Sequence, residues 1–272
     1  MSSAPNPLSE PLPWNLVAAG YAAETAPEFV SFARAALSAT GIGAGHHVAD
    51  VACGPGTLAF EAAALGATVR ALDFSEAMLE RLRARAETDR VTTIVAEAGD
   101  GMALPWPDAC VDAAFSMFGL IFFPDRARGL TELLRILRPN GRAVVSSWVP
   151  FDRLPAIAAL FEALRAALPG LPFGKGEAPL GHPDQVRAEF EAAGFVDVEV
   201  RSHTHVIEVP DVATFWDSMT RTMAPVTLLA HRLGPAWATT AAQILEELHR
   251  RLGDGPVRME MTANLGFGTR PR

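Results

Sequence analysis

Apolar runs and segments with helical spacing alternate regularly between residues 27 and 148 of the chain. The apolar runs, each short enough for a buried strand, span residues 48–52, 68–72, 91–96, 111–118 and 142–148. The segments that predict helices span residues 27–37, 57–65, 76–86 and 124–137. Strands that alternate with helices in this way form a parallel sheet covered on both faces.

The pattern changes after Pro150. Apolar residues at helical spacing predict helices at residues 154–168, 183–193, 212–223 and 237–252, and apolar runs predict strands at residues 196–209 and 257–265. Glycine and proline predict a loop at residues 169–183. Residues 1–13 carry four prolines and are expected to form a mobile tail, followed by a short ordered lead-in at residues 14–21.

The domain organisation that these elements predict is a tail and lead-in at residues 1–25, followed by one α/β domain at residues 26–272. Ligands of such sheets bind at the carboxyl ends of the strands. The segments at residues 151–182 and 211–255 flank that end of the sheet and are predicted to cap it.

Composition narrows the classes of partner. The net charge of −8 argues against nucleic acid and anionic membrane as main partners, because phosphate binding needs a basic surface. Two cysteines cannot make a disulfide framework or a four-thiolate zinc site. No apolar run reaches transmembrane length, and the N-terminus has no basic start with an apolar core, so we expect a cytoplasmic protein without membrane insertion.

A glycine turn follows the first predicted strand. The strand reaches Asp50, turns through Gly54 and Gly56, and enters a helix at Thr57. Such a turn presents backbone N–H groups to a ligand, and glycine lets the ligand approach closely. With Ala59, the two glycines also fit the dinucleotide pattern G-x-G-x-x-G/A. The turn alone therefore indicates a nucleotide-like ligand without identifying it.

Nearby residues distinguish two ligand classes. A dinucleotide diphosphate would lie close to Asp50, and Pro55 removes one N–H from the turn, so both features disfavour it. S-adenosylmethionine carries an ammonium and a sulfonium, which a carboxylate attracts. Asp73, at the end of the second strand, can accept from ribose hydroxyls of either ligand. Asp100 can accept from an adenine amino group while Met102 covers the ring, which favours S-adenosylmethionine.

Four stretches, spread over about residues 46–148, occur together in a familiar order and spacing. They read VADVACGPGTLA, ALDFSEAMLERLRARA, AEAGDGMALPWPDACVDAAFSMFGLIFFPD and LLRILRPNGRAVVSSW. The sequence resembles the class I S-adenosylmethionine-dependent methyltransferases, in the branch that includes menaquinone- and ubiquinone-biosynthesis enzymes and many small-molecule methyltransferases. This resemblance implies a Rossmann-like, doubly wound sheet of seven mostly parallel strands with an antiparallel last strand, a place that residues 257–265 fit.

The resemblance also implies roles for single residues. The implied cofactor-binding residues are Asp50, Gly54, Gly56, Asp73, Phe74, Met78, Asp100, Gly101, Met102, Ser116 and Tyr21. Within this set, Asp50 and the two glycines of the turn line the methionine moiety, Asp73 takes the ribose, and Asp100 takes the adenine. Ser116 lies at the end of the fourth strand, next to the methyl group, and Tyr21 lies in the lead-in that closes over the donor.

The acceptor side is predicted from apolar residues at the end of the fourth strand, at the end of the fifth strand and in the segments after it. The predicted substrate-binding residues are Phe118, Trp148, Met219 and Met223. Tryptophan, phenylalanine and methionine in the C-terminal half predict a small, apolar or aromatic acceptor.

Histidines are the candidates for a base, since an oxygen or nitrogen acceptor must lose a proton. The candidates are His182, His203, His205 and His231, and His231 is selected because it follows the predicted Met219 and Met223 stripe. His203 and His205 share one face of a predicted strand, but a metal site needs a third ligand. We therefore interpret this pair as a solvated strand face and predict no metal.

The function predicted is methyl transfer from S-adenosylmethionine to a small-molecule acceptor by in-line displacement, in which the protein supplies alignment and a dry site. One alternative keeps the ligand and drops the methyl transfer: a rearrangement or decarboxylation that uses bound S-adenosylmethionine. Another, from a different class, is a non-catalytic partner subunit that stabilises a true enzyme. A dinucleotide oxidoreductase is disfavoured by Asp50, Pro55 and Asp100. The identity of the acceptor, the atom methylated and a homodimeric assembly stay open.

Overall fold

The computed structural model describes residues 6–170 and 178–272. Its strands are β1 (His47–Val51), β2 (Thr68–Asp73), β3 (Ile94–Ala98), β4 (Val111–Met117), β5 (Leu137–Trp148), β6 (Val196–Val209) and β7 (Val257–Thr269). They form one seven-stranded sheet in the order β3-β2-β1-β4-β5-β7-β6. Neighbours among β1 to β5 pair in parallel, and β7 is antiparallel to both β5 and β6. The predicted Rossmann-like sheet with an antiparallel last strand is confirmed.

Helices connect and cover these strands. They are α1 (Pro11–Gly20), α2 (Ala26–Ser38), α3 (Thr57–Ala64), α4 (Glu76–Thr88), α5 (Arg126–Ile136), α6 (Pro155–Ala167), α7 (Pro183–Ala192), α8 (Val212–Thr222), α9 (Ala224–Leu233) and α10 (Trp237–Leu252). A π-helical turn at Tyr21–Thr25 joins α1 to α2. None of the helices in the described parts of the chain is long and apolar enough to cross a membrane.

The N-terminal segment differs from its prediction. Helix α1 begins at Pro11, within the stretch expected to be a mobile tail, because a proline in the first turn of a helix needs no N–H partner. Trp14 fixes the segment before it by donating its Nε1–H to the carbonyl of Leu8 over 2.9 Å. The Trp14 ring also packs edge-on against Phe122 at 4.9 Å between centroids. Residues 1–5 of the predicted tail lie outside the described residues.

Most other predicted elements are present with shifted ends. The predicted N-cap Ser75 accepts from the backbone N–H of Met78 over 3.3 Å, as expected for the start of α4. Helix α9 was not predicted, and β5 begins at Leu137 rather than at residue 142. Of the loop predicted at residues 169–183, residues 171–177 lie outside the described residues.

The sheet separates two buried clusters because side chains alternate along each strand. On β4, Ala113 and Phe115 pack with α2, α3 and α4 on one face. Val111 and Ala114 pack with α5 and α7 on the other face. This arrangement fixes the strands so that their carboxyl ends open on one side of the molecule.

A third cluster lies beyond those carboxyl ends. Strand β5 ends at Trp148, which lies opposite Ala263 of β7, whereas β6 and β7 continue to pair as far as Val209 and Val257. This two-stranded extension packs with α6, α8 and α10 through residues such as Leu160. The extension and these helices enclose the space above the sheet.

Candidate active site

The turn after β1 adopts a backbone that requires glycine at one position. Gly56 has φ of +87°, and a Cβ on it would lie 2.8 Å from Cγ of Leu82. Gly54 has φ of +54°, with no atom within 4 Å of such a Cβ, so its backbone faces open space. Ala52 also has a positive φ, 57°, which is unusual for a residue other than glycine. Left-handed residues of this kind cluster at functional sites.

Asp73 connects this turn to the next strand. Its Oδ2 accepts from the backbone N–H of Gly54 over 2.8 Å, and its Oδ1 accepts from the N–H of Ser75 over 2.8 Å. The side chain is buried, and burial raises the pKa of Asp73 to about 6 although the backbone donors oppose the shift. A carboxylate oxygen has more than one lone pair, so Asp73 can still accept from ribose hydroxyls.

Asp50 lies beneath the same turn. It is buried, and its Oδ2 accepts from the backbone N–H of Ala59 over 3.1 Å. Burial, together with the charge of Asp73, raises the pKa of Asp50 to about 7. Asp50 borders a small space of about 50 Å³ that it shares with Gly54 and Tyr21.

These two carboxyl groups fit a cationic ligand. Among the described groups that shift the pKa values of Asp50 and Asp73, none is a cationic side chain. A ligand with positive charge would therefore stabilise the ionised forms that burial now disfavours. A diphosphate would add negative charge at the same place, so this donor set suits S-adenosylmethionine.

A large cavity of about 1700 Å³ opens from this crevice. Eight predicted cofactor-binding residues line it: Tyr21, Gly54, Asp73, Phe74, Met78, Asp100, Gly101 and Met102. Asp100 follows β3, and its Oδ1 accepts from the backbone N–H of Met102 over 2.8 Å. Gly101 permits close packing there, since a Cβ on it would lie 2.3 Å from Cζ of Phe123.

Two predicted cofactor-binding residues, Gly56 and Ser116, do not line either space. Gly56 packs against α4 through its contact with Leu82. Ser116 is fully buried, and its Oγ accepts from the backbone N–H of Leu120 over 3.1 Å, which fixes the turn after β4. Side chains alternate along a strand, so the neighbour Met117 lines the cavity instead.

All four predicted substrate-binding residues line the cavity. Phe118 has φ of 61° and stacks on Trp148, with 4.1 Å between ring centroids and 17° between planes. Phe29 of α2 lies 5.0 Å from Phe118 and 5.4 Å from Trp148. Met219 and Met223 lie farther out, at the end of α8.

The outer part of the cavity is called here the apolar chamber. Its lining includes Phe161, Ile207, Phe215, Met219, Met223, Leu229 and Met259. These residues come from α6, α8, α9 and the extension of β6 and β7. The chamber and the carboxylate crevice belong to one cavity, so two ligands can meet in it.

The predicted base His231 lies outside the cavity. Val226 and Leu229 form the buried face of α9, and His231 is exposed and does not line the cavity. His231 therefore cannot contact a substrate in this cavity, and its prediction as the base is wrong. Among the described residues that line the cavity there is no histidine.

His203 and His205 are not a solvated face. His203 Nε2 and Ser31 Oγ are 2.7 Å apart, and His205 Nε2 donates to Glu28 Oε2 over 2.8 Å. Both rings pack on Phe32, so the two histidines attach α2 to β6. Among the described residues there is no cluster of three ligands that could hold a metal.

In the N-terminal wall of the cavity, the sequence predicted Tyr21 but not the residues that precede it. Leu8 and Trp14 line the cavity, and Asn15 Oδ1 accepts from Ser75 Oγ over 2.7 Å, which attaches α1 beside Asp73. Tyr21 follows in the π-helical turn, and burial and the charge of Asp73 raise the pKa of its phenol. The prolines at the start of α1 were the available signal.

Comparison with known proteins gives the family. A family model described as "Methyltransferase domain" matches residues 49–145. An uncharacterised protein of Mycobacterium tuberculosis is 40% identical over 112 residues, which cover 41% of this chain and only 40% of that protein. Demethylmenaquinone methyltransferase of Clavibacter sepedonicus is 38% identical over 178 residues, which cover 59% of this chain and 70% of that enzyme.

A solved structure shares the fold. Phosphoethanolamine N-methyltransferase 2 of Haemonchus contortus, in complex with phosphomonomethylethanolamine and S-adenosylhomocysteine, superposes with a TM-score of 0.56 and 17% identity. The superposition covers 89% of this chain and 52% of that one. Together with the identity to the Clavibacter enzyme over most of its length, these findings show that the chain belongs to the class I S-adenosylmethionine-dependent methyltransferase family.

Proposed function

We propose that this protein transfers the methyl group of S-adenosylmethionine to a small, apolar or aromatic acceptor. The observation that carries the proposal is the single cavity in which the carboxylate crevice continues into the apolar chamber. Phe118 supports a meeting point between them, because it follows β4 beside the crevice and packs in the same cluster as Phe161 and Met261. S-adenosylmethionine supplies an activated methyl group, so the protein must mainly align the acceptor and exclude water.

In this proposal the crevice holds the donor through its carboxyl groups. Asp50 and the backbone of Gly54 face the charged methionine moiety, Asp73 accepts from the ribose, and Asp100 accepts from the adenine amino group. Phe74 and Met102 flank the adenosine. The raised pKa values of Asp50 and Asp73 support this assignment, because a cationic donor offsets the cost of burying two carboxylates.

The acceptor occupies the apolar chamber, and we propose that the described parts of the segments at residues 151–182 and 211–255 cap it. The lining by Phe161, Met219, Met223 and Met259 supports a hydrophobic acceptor, since methionines adapt to ligands of irregular shape. The stacked pair Phe118 and Trp148 supports an aromatic ring at the inner end of the chamber.

The direct test is calorimetry of S-adenosylmethionine, NADH and FAD with the purified protein, followed by detection of S-adenosylhomocysteine during incubation with aromatic acceptors. We expect S-adenosylmethionine alone to bind, and S-adenosylhomocysteine to form in step with a methylated product. Binding of NADH or FAD without S-adenosylmethionine would overturn the proposal. Product formed with S-adenosylmethionine left intact would support the rearrangement or decarboxylation instead.

A chamber variant separates the acceptor site from the donor site. Met219→Trp fills part of the chamber and should lower turnover. The affinity for S-adenosylmethionine should stay within about twofold, because a substitution in one subsite has little effect on a separate subsite. Val95→Trp is the matched control, because Val95 is 51% exposed on the edge strand β3. Equal loss of donor affinity in Met219→Trp would contradict the assignment of the chamber.

A further inference from the structure

The cavity needs a proton acceptor if its substrate is methylated on oxygen, and the choices are few. The described carboxylates that line it are Glu10, Glu24, Glu28, Asp73, Asp100 and Glu208. Asp73 and Asp100 belong to the donor crevice. Glu24 accepts from Arg221 Nε and from Ser218 Oγ, both over 2.8 Å, and the Arg221 guanidinium lowers its pKa, which makes it a poor base.

Glu28 has a different partner. Its Oε2 accepts from His205 Nε2 over 2.8 Å, and the side chains of Glu28 and His205 are 40% and 28% exposed. A histidine can take up and release a proton near neutral pH, which arginine cannot do. Glu28 is therefore a carboxylate of the cavity wall that a histidine orients and that has no permanently charged arginine as its partner in this contact.

Glu28 lines the cavity, and His205 lies behind it on β6. His205 lies on the same face of β6 as Ile207, which lines the chamber, and opposite Met261 of β7, which also lines the cavity. Glu28 lies in the first turn of α2, directly after the π-helical turn at Tyr21–Thr25. Its neighbour Phe29 contacts Phe118, so this turn of α2 lies beside the stacked rings of Phe118 and Trp148.

The position of Glu28 is fixed from two sides. His205 packs edge-on against Phe32 at 6.3 Å between centroids, which orients its ring. One turn along α2, Ser31 Oγ and His203 Nε2 are 2.7 Å apart, and this second bond holds the same helix on the same strand. A proton acceptor held in this way keeps its orientation without bound substrate.

We propose that Glu28 is the catalytic residue that accepts the proton of the methyl acceptor, that His205 positions it, and that the acceptor is an aromatic molecule with a hydroxyl group. This inference rests on the proposed methyl transfer. The stacked rings of Phe118 and Trp148 accommodate the aromatic ring, and the Glu28 carboxylate is the polar partner of the hydroxyl.

The hydroxyl proton moves to the carboxylate of Glu28 while the oxygen forms a bond to the methyl carbon. The bond between methyl carbon and sulfur breaks, and its electron pair stays on sulfur, which becomes a neutral thioether. The products are the methyl ether and S-adenosylhomocysteine, and Glu28, whose side chain is 40% exposed, releases the proton to solvent.

The test measures discrimination between two probes of similar shape, 2-naphthol and 2-methylnaphthalene, bound to protein saturated with S-adenosylhomocysteine. Since a hydrogen bond to a charged group contributes about 1.5–3 kcal/mol, wild type should bind 2-naphthol at least about tenfold more tightly. Glu28→Gln should bring the ratio of the two affinities close to one, and Glu28→Asp should restore part of it. His205→Asn should lower the ratio partially.

The ratio of the affinities for 2-naphthol and 2-methylnaphthalene decides between a catalytic and a structural role of Glu28. Glu191→Gln, an exposed change on α7, should leave the ratio unchanged. A role of Glu28 only in attaching α2 to β6 would weaken both probes equally and keep the ratio, and this result would overturn the proposal. Wild-type protein without preference for 2-naphthol, including failure to bind either probe, would overturn it as well. Failure of the proposed methyl transfer would appear separately, as absence of S-adenosylmethionine binding or of S-adenosylhomocysteine formation.

Discussion

The backbone N–H of Gly54 donates to Oδ2 of Asp73 over 2.8 Å, which ties the turn after β1 to the end of β2. The other oxygen of Asp73 accepts from Ser75 at the start of α4. One buried carboxyl group therefore holds together the turn, the strand end and the helix start that border the donor crevice. The shape of the crevice depends on Asp73 even before a ligand is bound.

Asp73→Ala should lose both stability and donor binding. Two backbone N–H groups lose their acceptor, so the free energy of unfolding should fall by about 1–3 kcal/mol, and S-adenosylmethionine affinity should fall at least about tenfold. Asp73→Asn keeps one acceptor oxygen and should recover part of the stability but not the affinity. Denaturant unfolding and calorimetry measure the two effects, with Asp89→Ala on the exposed end of α4 as control. Wild-type affinity in Asp73→Ala would contradict the assignment.

The stability of the ligand-free protein should fall as pH rises from about 4 to about 7. Burial raises the pKa of Asp50 to about 7 and that of Asp73 to about 6, whereas both groups ionise near pH 4 when unfolded. The folded state then holds more protons than the unfolded state within this window, so deprotonation favours unfolding. Thermal unfolding measured across this range checks the sign, and Asp50→Asn should flatten the slope. The prediction would be wrong if the stability of the wild type rose steadily from about pH 4 to about pH 7 and that of Asp50→Asn did not.

The affinity for S-adenosylmethionine should change in the opposite sense. A cation near Asp50 and Asp73 favours their ionised forms, so binding should strengthen at least about tenfold between pH 5.5 and pH 8 and should release protons below pH 7. Calorimetry in buffers with different ionisation enthalpies counts the protons. Affinity independent of pH would mean that the ligand does not approach these carboxyl groups.

Gly119→Ala should destabilise the protein through one identified contact. Gly119 follows β4 with an ordinary φ of −89°, but a Cβ on it would lie 2.3 Å from the Cβ of Ala52. Overpacking of this kind costs about 1–3 kcal/mol. In the Ala52→Gly background the same change should cost clearly less, because the clashing atom is gone. Equal costs in the two backgrounds, measured by denaturant unfolding, would rule out this contact as the cause.

Gly20→Ala should lower the unfolding temperature although alanine favours helices. Gly20 has a helical φ of −65°, so alanine by itself would add about 1 kcal/mol of helix propensity. A Cβ there would lie 2.5 Å from the carbonyl oxygen of Arg221, so α1 and α8 would have to separate. Gly43→Ala is the matched control, since a Cβ on Gly43 meets no atom within 4 Å. A stabilised Gly20→Ala variant would show that the two helices do not pack this closely.

Local patterns in the sequence predicted the order of strands and helices and the positions of three carboxylates. Asp50, Asp73 and Asp100 end or follow consecutive strands, and a parallel sheet brings such ends to one edge. The glycine turn and the N-cap at Ser75 are local as well, because a few neighbouring residues decide their backbone. The place of these three carboxyl groups in the fold was therefore predictable in outline.

Side-chain direction was decided only by the tertiary structure. Ser116 and Met117 are neighbours on β4, but Ser116 bonds to the backbone of Leu120 and Met117 lines the cavity. His231 lies on the outer face of α9 because Val226 and Leu229 occupy the inner face. A pattern of apolar residues does not predict which of two adjacent side chains lines a cavity, because other segments of the chain enclose that cavity.

The acceptor side depends on contacts between distant parts of the chain. Glu28 and His205 are 177 residues apart in sequence and meet only because α2 packs on β6. Helix α1 closes the cavity and is attached by the hydrogen bond between Asn15 and Ser75. The local spacing of apolar residues does not predict this contact. The sequence by itself thus determined the family fold and the carboxylates of the crevice, because hydrogen bonding and apolar periodicity act over a few residues. The tertiary structure decided the walls of the cavity and the contact between Glu28 and His205, because these depend on how complete elements pack.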